Sequence, residues 1–181
     1  SVVQSLVPSA AIDQAEAEGM IVIDTEARVV RLAHPLYGEA RRGRIGTLER
    51  VRLCRRVSDA IGALSPSTPQ QVVQRAVLIA ADDRPEDAEL LTAAANSALH
   101  LMDLKLAVNL AERATRCDGG VDAQILYGFA LLTAARAEEG ERVLVAIDNL
   151  VGPSAERAQI GLFRAASLSW VLGRPSEAEA V

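Results

Sequence analysis

A mainly α-helical fold carrying one β-hairpin near its amino end is predicted by three observations. Half of the 181 residues are hydrophobic yet only 3% are aromatic, and alanine is abundant, a composition that favours closely packed helices over a sheet sandwich filled by rings. Two β-branched runs, Met20 to Asp24 and Arg28 to Ala33, are separated only by Thr25, Glu26 and Ala27, a loop length suited to antiparallel pairing. From Pro69 onward apolar residues recur three or four apart between short turn-rich breaks, which is the pattern of antiparallel helix neighbours.

Taken in order, Ser9 reads as an N-cap, and Ala10 to Glu18 as a short alanine-rich helix stopped by Gly19, a residue suited to a left-handed C-terminal cap. The hairpin comes next. Val30, Leu32 and Val22 suit half-buried strands, and Pro35 suits the first turn of a helix, where the missing amide costs nothing. His34 therefore falls on a strand-to-helix corner. Such a corner can present an imidazole to a ligand or use it as a helix cap, and both readings stand. The next helix breaks at Gly43 to Gly46 and restarts at Thr47, with Leu48, Val51, Cys54, Val57, Ile61 and Leu64 on one face. Thr47 and Arg50 do not form a capping box. Helix, β-wing and helix together predict a small winged-helix module over residues 1–62. Ser65, Pro66, Ser67, Thr68 and Pro69 concentrate turn chemistry, so residues 63–68 are predicted to be a linker.

Helices are then expected at about 69–82, 85–100, 103–117, 121–136, 139–150, 154–172 and from Pro175 to the end. The breaks are Asp82-Asp83-Arg84-Pro85, Cys117-Asp118-Gly119-Gly120, Val151-Gly152-Pro153 and Gly173-Arg174-Pro175. Their spacing fits a period of roughly 34 residues, that of a tetratricopeptide repeat. Leu91, Ala94, Ala95 and Ala98, followed by Ala107, Ala111 and Ala114, supply the small residues that let paired helix axes approach. A second copy reads Tyr127, Gly128 and Leu131, then Gly140, Leu144 and Ile147, with Gly140 as a deviation. A third begins at Leu162, Ala165 and Ala166 and continues through Gly173 and Ala178. Residues 69–181 are thus expected to form a tetratricopeptide-like repeat truncated at its C-terminal end, with an irregular helical bundle as the alternative. The last copy stops a few residues into its second helix and the chain opens on Ser1 inside an apolar run. Both ends read as cuts in a longer polypeptide.

Charge and motifs narrow the function classes. Net charge is -5 but uneven, with nine arginines against eight acids up to Gly62 and ten basic residues against sixteen acids beyond it. Arg41, Arg42, Arg44, Arg52, Arg55 and Arg56 concentrate the basic charge and form a candidate phosphate or nucleic-acid patch. The other reading is a solvated face paired with Glu39, Glu49 and Asp59. Asp82, Asp83, Glu86 and Asp87 read as helix-start carboxylates complementing the dipole, not as acid–base catalysts. Tyr127, Phe129, Phe163 and Trp170 read as repeat core. Cys54 and Cys117 lack metal-ligand spacing and read as reduced thiols of a cytoplasmic protein, with no metal site. Charge-free stretches such as Ala123 to Ala135 fall short of the ~20 apolar residues a membrane span requires, so no membrane partner is expected. No phosphate-cradling Gly-x-x-x-x-Gly-Lys-Ser/Thr, no Gly-x-Ser-x-Gly and no His-Glu-x-x-His occurs, so no catalytic residue is assigned and an enzyme is not expected.

The run Val30 to Glu39, read Val-Arg-Leu-Ala-His-Pro-Leu-Tyr-Gly-Glu, followed by Leu48 and by Arg50 to Ile61, resembles the end of the ATPase module of large ATP-binding LuxR-type transcriptional regulators. Those proteins are similar to the maltose-regulon activator and belong to the signal-transducing STAND class of ATPases. The resemblance implies a nucleotide-binding module before the winged helix, tetratricopeptide-like helices after it, and a DNA-binding helix-turn-helix further on. It implies no cofactor in this chain, ATP or ADP in the parent protein, and DNA contact only through a domain outside it. An effector or protein partner would dock on the repeat surface. His34 corresponds to the winged-helix histidine that contacts ADP phosphates in related ATPases, although its His-Pro setting departs from the Met-His-Asp form of animal and plant members. Arginine outnumbers lysine eighteen to one, a bias of high-GC genomes such as actinobacterial ones. The alternatives are a DNA-binding winged helix with a helical dimerisation region, and a generic tetratricopeptide scaffold.

Overall fold

The computed structural model describes residues 2–26, 29–65, 67–81 and 85–181. The chain is mainly helical, with a two-stranded antiparallel hairpin followed by a long helical stretch. It divides into two compact units. One comprises the described residues of 1–67 and 77–84, the other those of 68–76 and 85–181.

The first unit opens with a short helix, α1 (Val2–Leu6), that the apolar run alone does not announce. It packs against α4 (Thr47–Gly62), and the Arg56 Nη2 donates to the Leu6 carbonyl at 2.8 Å. Helix α2 spans Ser9–Ala17. Ser9 is not its cap, contrary to expectation: Pro8 holds that position with φ -56° and ψ 140°, and no side chain caps the helix. The locked proline φ already sets the entry, so the helix begins one residue earlier than a serine cap would allow. Gly19 ends it at φ +67°, and the Met20 amide reaches back to the Ala15 carbonyl at 2.9 Å, closing a Schellman turn.

Strands β1 (Ile21–Asp24) and β2 (Val29–Leu32) pair antiparallel, with Ile21 opposite Leu32 and Ile23 opposite Val30. Both are slightly shorter than their β-branched runs; Ala27 and Arg28, expected in the turn and at the start of β2, lie outside the described residues. Pairing by alternation puts Ile21, Ile23, Val30 and Leu32 on one face of the hairpin. Helices α3 (Pro35–Arg44) and α4 come next, separated by Ile45 and by Gly46, which stands at the α4 cap without a side-chain bond. Ser58 and Ile61 are the fully buried residues of α4, flanked by half-buried Val51, Cys54 and Val57.

Between α4 and α5 (Pro69–Ala80) lies the turn-rich connection, of which Pro66 is outside the described residues. The Thr68 Oγ1 accepts from the Gln71 amide at 3.3 Å while the Gln71 Oε1 accepts from the Thr68 amide at 2.8 Å. This reciprocal capping box, with Pro69 as the first helical residue, explains why α5 starts where it does.

In the second unit α6 (Ala88–His100), α7 (Leu104–Arg116), α8 (Gly120–Thr133), α9 (Ala137–Asp148) and α10 (Ala155–Ala166) succeed one another through short connections. Consecutive helices pack on each other, and α8 also touches α6 and α10, the contact pattern of stacked helix pairs. Asp87, Asp103 and Ser154 cap α6, α7 and α10 by accepting backbone amides. Ala94, Ala95, Ala98, Ala107, Ala111 and Ala114 are all 0% exposed, so the first copy's small residues form the helix crossing itself. Gly140 is no departure from this steric rule. A Cβ there would stand 2.6 Å from Leu132 Cδ2 and 3.0 Å from the Gly128 carbonyl oxygen, while one on Gly128 would stand 2.6 Å from Leu144 Cδ2.

Several helices end in left-handed residues that are not glycine. Met102 (φ 59°), Asp118 (φ 58°) and Ala135 (φ 60°) each precede an amide that closes a Schellman turn, bonding back to the carbonyls of Ala98, Ala114 and Leu131 respectively. A side chain at such a position costs roughly 1–2 kcal/mol relative to glycine. Ala135→Gly, exposed and outside every helix, is therefore expected to raise the unfolding free energy by about 1 kcal/mol; a lower urea midpoint would contradict the Schellman geometry.

The third copy departs from expectation. Helix α10 ends at Ala166 and passes into a π-helical turn, Ser167–Val171, and α11 is only Pro175–Ala178 instead of running to the end. The extra residue of a π turn rotates all downstream positions by about 100°. Trp170, expected in the core, lies within this turn and is 85% exposed. Leu162, also expected to pair, is 66% exposed.

Candidate functional site

The His-Pro corner forms because β2 must stop where Pro35 has no amide to give the ladder, and because a helix can start there without loss. His34 is extended (φ -139°, ψ 134°) and caps α3: its Nδ1 accepts from the Leu36 amide at 3.2 Å. In the neutral ring this leaves the proton on Nε2. The ring is exposed and meets Tyr37 edge-on at 6.2 Å between centroids and 65° between planes. Leu32, Leu36 and Tyr37 around it are each about half exposed, at 52%, 60% and 49%. The capping and ligand-presenting readings of His34 are thus compatible, one nitrogen serving each.

The six arginines divide into two groups. Arg41, Arg42 and Arg44 occupy the last turn of α3, where cations complement the helix dipole. Arg52, Arg55 and Arg56 are exposed on α4, with Arg55 one turn on from half-buried Val51. Arg41 Nη2 pairs with Glu49 Oε1 at 3.0 Å, tying the end of α3 to the start of α4, and Arg56 is engaged with the Leu6 carbonyl. Arg55 and Asp59 are also engaged. Among the described residues Arg42, Arg44 and Arg52 make no ion pair.

The helix-start carboxylates separate by role. Asp87 caps α6, accepting from the Glu89 and Leu90 amides at 3.0 and 3.4 Å. Glu86 instead forks onto Arg113, whose hydrogen bond holds its carboxyl below the usual range. Cys117 donates its thiol to the same carboxylate at 3.5 Å; burial first, and then this bond, push its pKa above the ordinary thiol range. Asp82 and Asp83 lie outside the described residues. Both cysteines are free, and among the described residues no three His, Cys, Asp or Glu side chains gather as a metal site. Nor is any described helix long and apolar enough to cross a membrane.

Sequence patterning does not reveal a groove of about 810 Å³ formed by α6, α8 and α10 within the second unit. Phe129 and Phe163 stack in it, centroids 4.6 Å apart and planes 25° apart. Their shared placement on the first helices of successive pairs is the one signal that could have found it. Tyr127, two residues away on α8, is half-buried, and burial raises its phenol pKa. No family model, curated protein or solved structure matches this chain.

Proposed function

We propose that this chain is the regulatory, signal-transmitting part of an ATP-dependent LuxR-type transcriptional regulator of the STAND class. In this reading the winged helix abuts a nucleotide-binding module, the helix pairs receive an effector or protein partner, and DNA is bound by a separate helix-turn-helix domain. The chain binds and relays; phosphate chemistry belongs to the neighbouring module, and the setting is the cytoplasm. The observation that carries the reading is the exposed His34 at the head of His-Pro-Leu-Tyr-Gly-Glu, with Nδ1 committed to the Leu36 amide and its second ring nitrogen available to a phosphate oxygen. Its apolar surroundings, Leu32, Leu36 and Tyr37, suit a surface that meets another module. Nucleotide state would then bias domain opening through a contact made in only one state.

Direct duplex binding by the winged helix draws on Arg42, Arg44 and Arg52, but Arg41 and Arg56 are spent on structural contacts. A generic scaffold would use the His-Pro corner only as the start and cap of α3.

The test separates capping from sensing in the full-length regulator. Asparagine caps helices well, whereas alanine does not, the difference being about 1 kcal/mol. His34→Asn is expected to keep the stability of the winged helix yet release ADP faster and raise basal activity; His34→Ala should lose both. Unchanged ADP retention in both variants would reduce His34 to a cap.

A further inference from the structure

We infer that Arg42 is a second phosphate-binding residue of the His-Pro corner, its guanidinium and the free ring nitrogen of His34 together holding the phosphate end of a nucleoside diphosphate carried by the neighbouring module. This rests on the regulatory reading of His34. Residues 34, 38 and 42 follow one another at intervals of four, so they form one row along α3. The middle member, Gly38, is a glycine inside a helix, which such a position disfavours unless something approaches closely. Two groups do. The point where its Cβ would stand is 2.9 Å from Leu32 Cδ1, 3.5 Å from Arg42 Nη1 and 3.8 Å from Arg42 Cζ. The guanidinium therefore folds back one turn toward His34 along the bare side of Gly38, next to the hairpin.

That placement separates Arg42 from the other arginines. Arg41 is held by Glu49, Arg56 by the Leu6 carbonyl, and Arg55 is engaged as well. Arg44 and Arg52 make no ion pair among the described residues, but Arg44 stands at the far end of α3 and Arg52 belongs to α4. Strand alternation puts Arg31 on the face of β2 opposite Leu32, and so away from Gly38. Glu39 stands three residues before Arg42, the spacing at which Arg136 and Glu139 pair. Among the described residues Arg42 forms no such pair; its guanidinium stays over Gly38 with its charge uncompensated. Gly38 is four residues on from His34, which is about 6 Å along a helix rising ~1.5 Å per residue. One phosphoryl group or two linked ones bridge that gap, and a diphosphate offers oxygens to both donors. The donors are complementary: a His34 Nε2 proton fixed by the Leu36 amide bond, and a guanidinium charged at every physiological pH.

The full-length regulator is loaded with fluorescent ADP, and release is followed after a chase with unlabelled ADP. Arg42→Gln is expected to speed release about tenfold or more, as loss of a charge-assisted hydrogen bond does. Arg42→Lys keeps the charge without the fork and should fall between. Arg31→Gln removes an exposed arginine from the other face of the hairpin and should stay within about twofold of the unchanged protein. Arg42 makes no ion pair, so the urea midpoint of nucleotide-free Arg42→Gln should equal that of Arg31→Gln. A midpoint lowered in Arg42→Gln alone would assign Arg42 a structural role and overturn the inference. Equal acceleration in Arg42→Gln and Arg31→Gln would overturn it too, because local positive charge and not a contact would then retain ADP. Faster release in His34→Asn with none in Arg42→Gln overturns the assignment of Arg42 and leaves the His34 reading standing. Faster release in Arg42→Gln with none in His34→Asn does the reverse, and unchanged release in both overturns both.

Discussion

Gly128→Val is expected to destabilise the helical unit by about 3 kcal/mol, the upper part of the range for overpacking a close-packed core. Leu144 is 0% exposed and its Cγ would lie 2.7 Å from the new Cβ, with Cδ2 at 2.6 Å, so the obstacle is a side chain with nowhere to retreat. Gly128→Ala should cost less, because alanine recovers about 1 kcal/mol of helix propensity while adding only the Cβ. The companion change Gly140→Ala meets both Leu132 and the Gly128 carbonyl, and backbone cannot rotate aside. Urea unfolding followed by circular dichroism checks this through the midpoint at constant slope. A Gly128→Val midpoint equal to that of the unchanged chain would mean that α8 and α9 do not approach so closely.

Arg164→Ala is expected to cost about 3 kcal/mol, as removal of one partner from a largely buried ion pair does. The guanidinium bridges two helix positions: its Nε donates to Glu141 Oε1 and its Nη1 to Asp148 Oδ2, both at 2.9 Å. All three side chains are at most 20% exposed. Glu141 already carries one buried oxygen, Oε2, without a partner, so losing the arginine strands the whole carboxylate. Asp148 fares better, since Arg157 Nε remains 3.2 Å from its Oδ1. Arg164→Lys retains charge but lacks the planar fork needed to reach both acids, and should fall between. A double-mutant cycle with Glu141→Gln isolates the pair, and a coupling below about 0.5 kcal/mol would contradict a desolvated bridge. Removing Arg136 from its exposed contact with Glu139 should change stability far less.

Local chemistry was legible wherever a residue type has few uses. Gly19 announced a helix end, Pro35 a helix start, and the alanines of the first repeat a close crossing. Other features left no mark that reading along the chain could detect. Met102 and Ala135 end helices in a left-handed conformation that neither residue favours, and the Schellman hydrogen bonds from Asp103 to Ala98 and from Arg136 to Leu131 close around it. The Trp170 position looked like core because it falls on a segment read as one paired α-helix, whereas that helix gives way to a π turn that contains Trp170 and leaves it exposed.

His34 shows the same division. Its place beside a proline at the junction of two periodicities came from residue order, because strand and helix repeats and proline's missing amide are properties of neighbouring residues. That its Nδ1 caps α3 while the ring stays exposed depended on backbone angles and on what does not cover it. The Phe129–Phe163 stack and the Arg164 bridge depended on helix-to-helix distances. Those arise when small residues such as Gly128 and Gly140 let helices close together, a sum of many weak contacts that no single stretch of chain encodes.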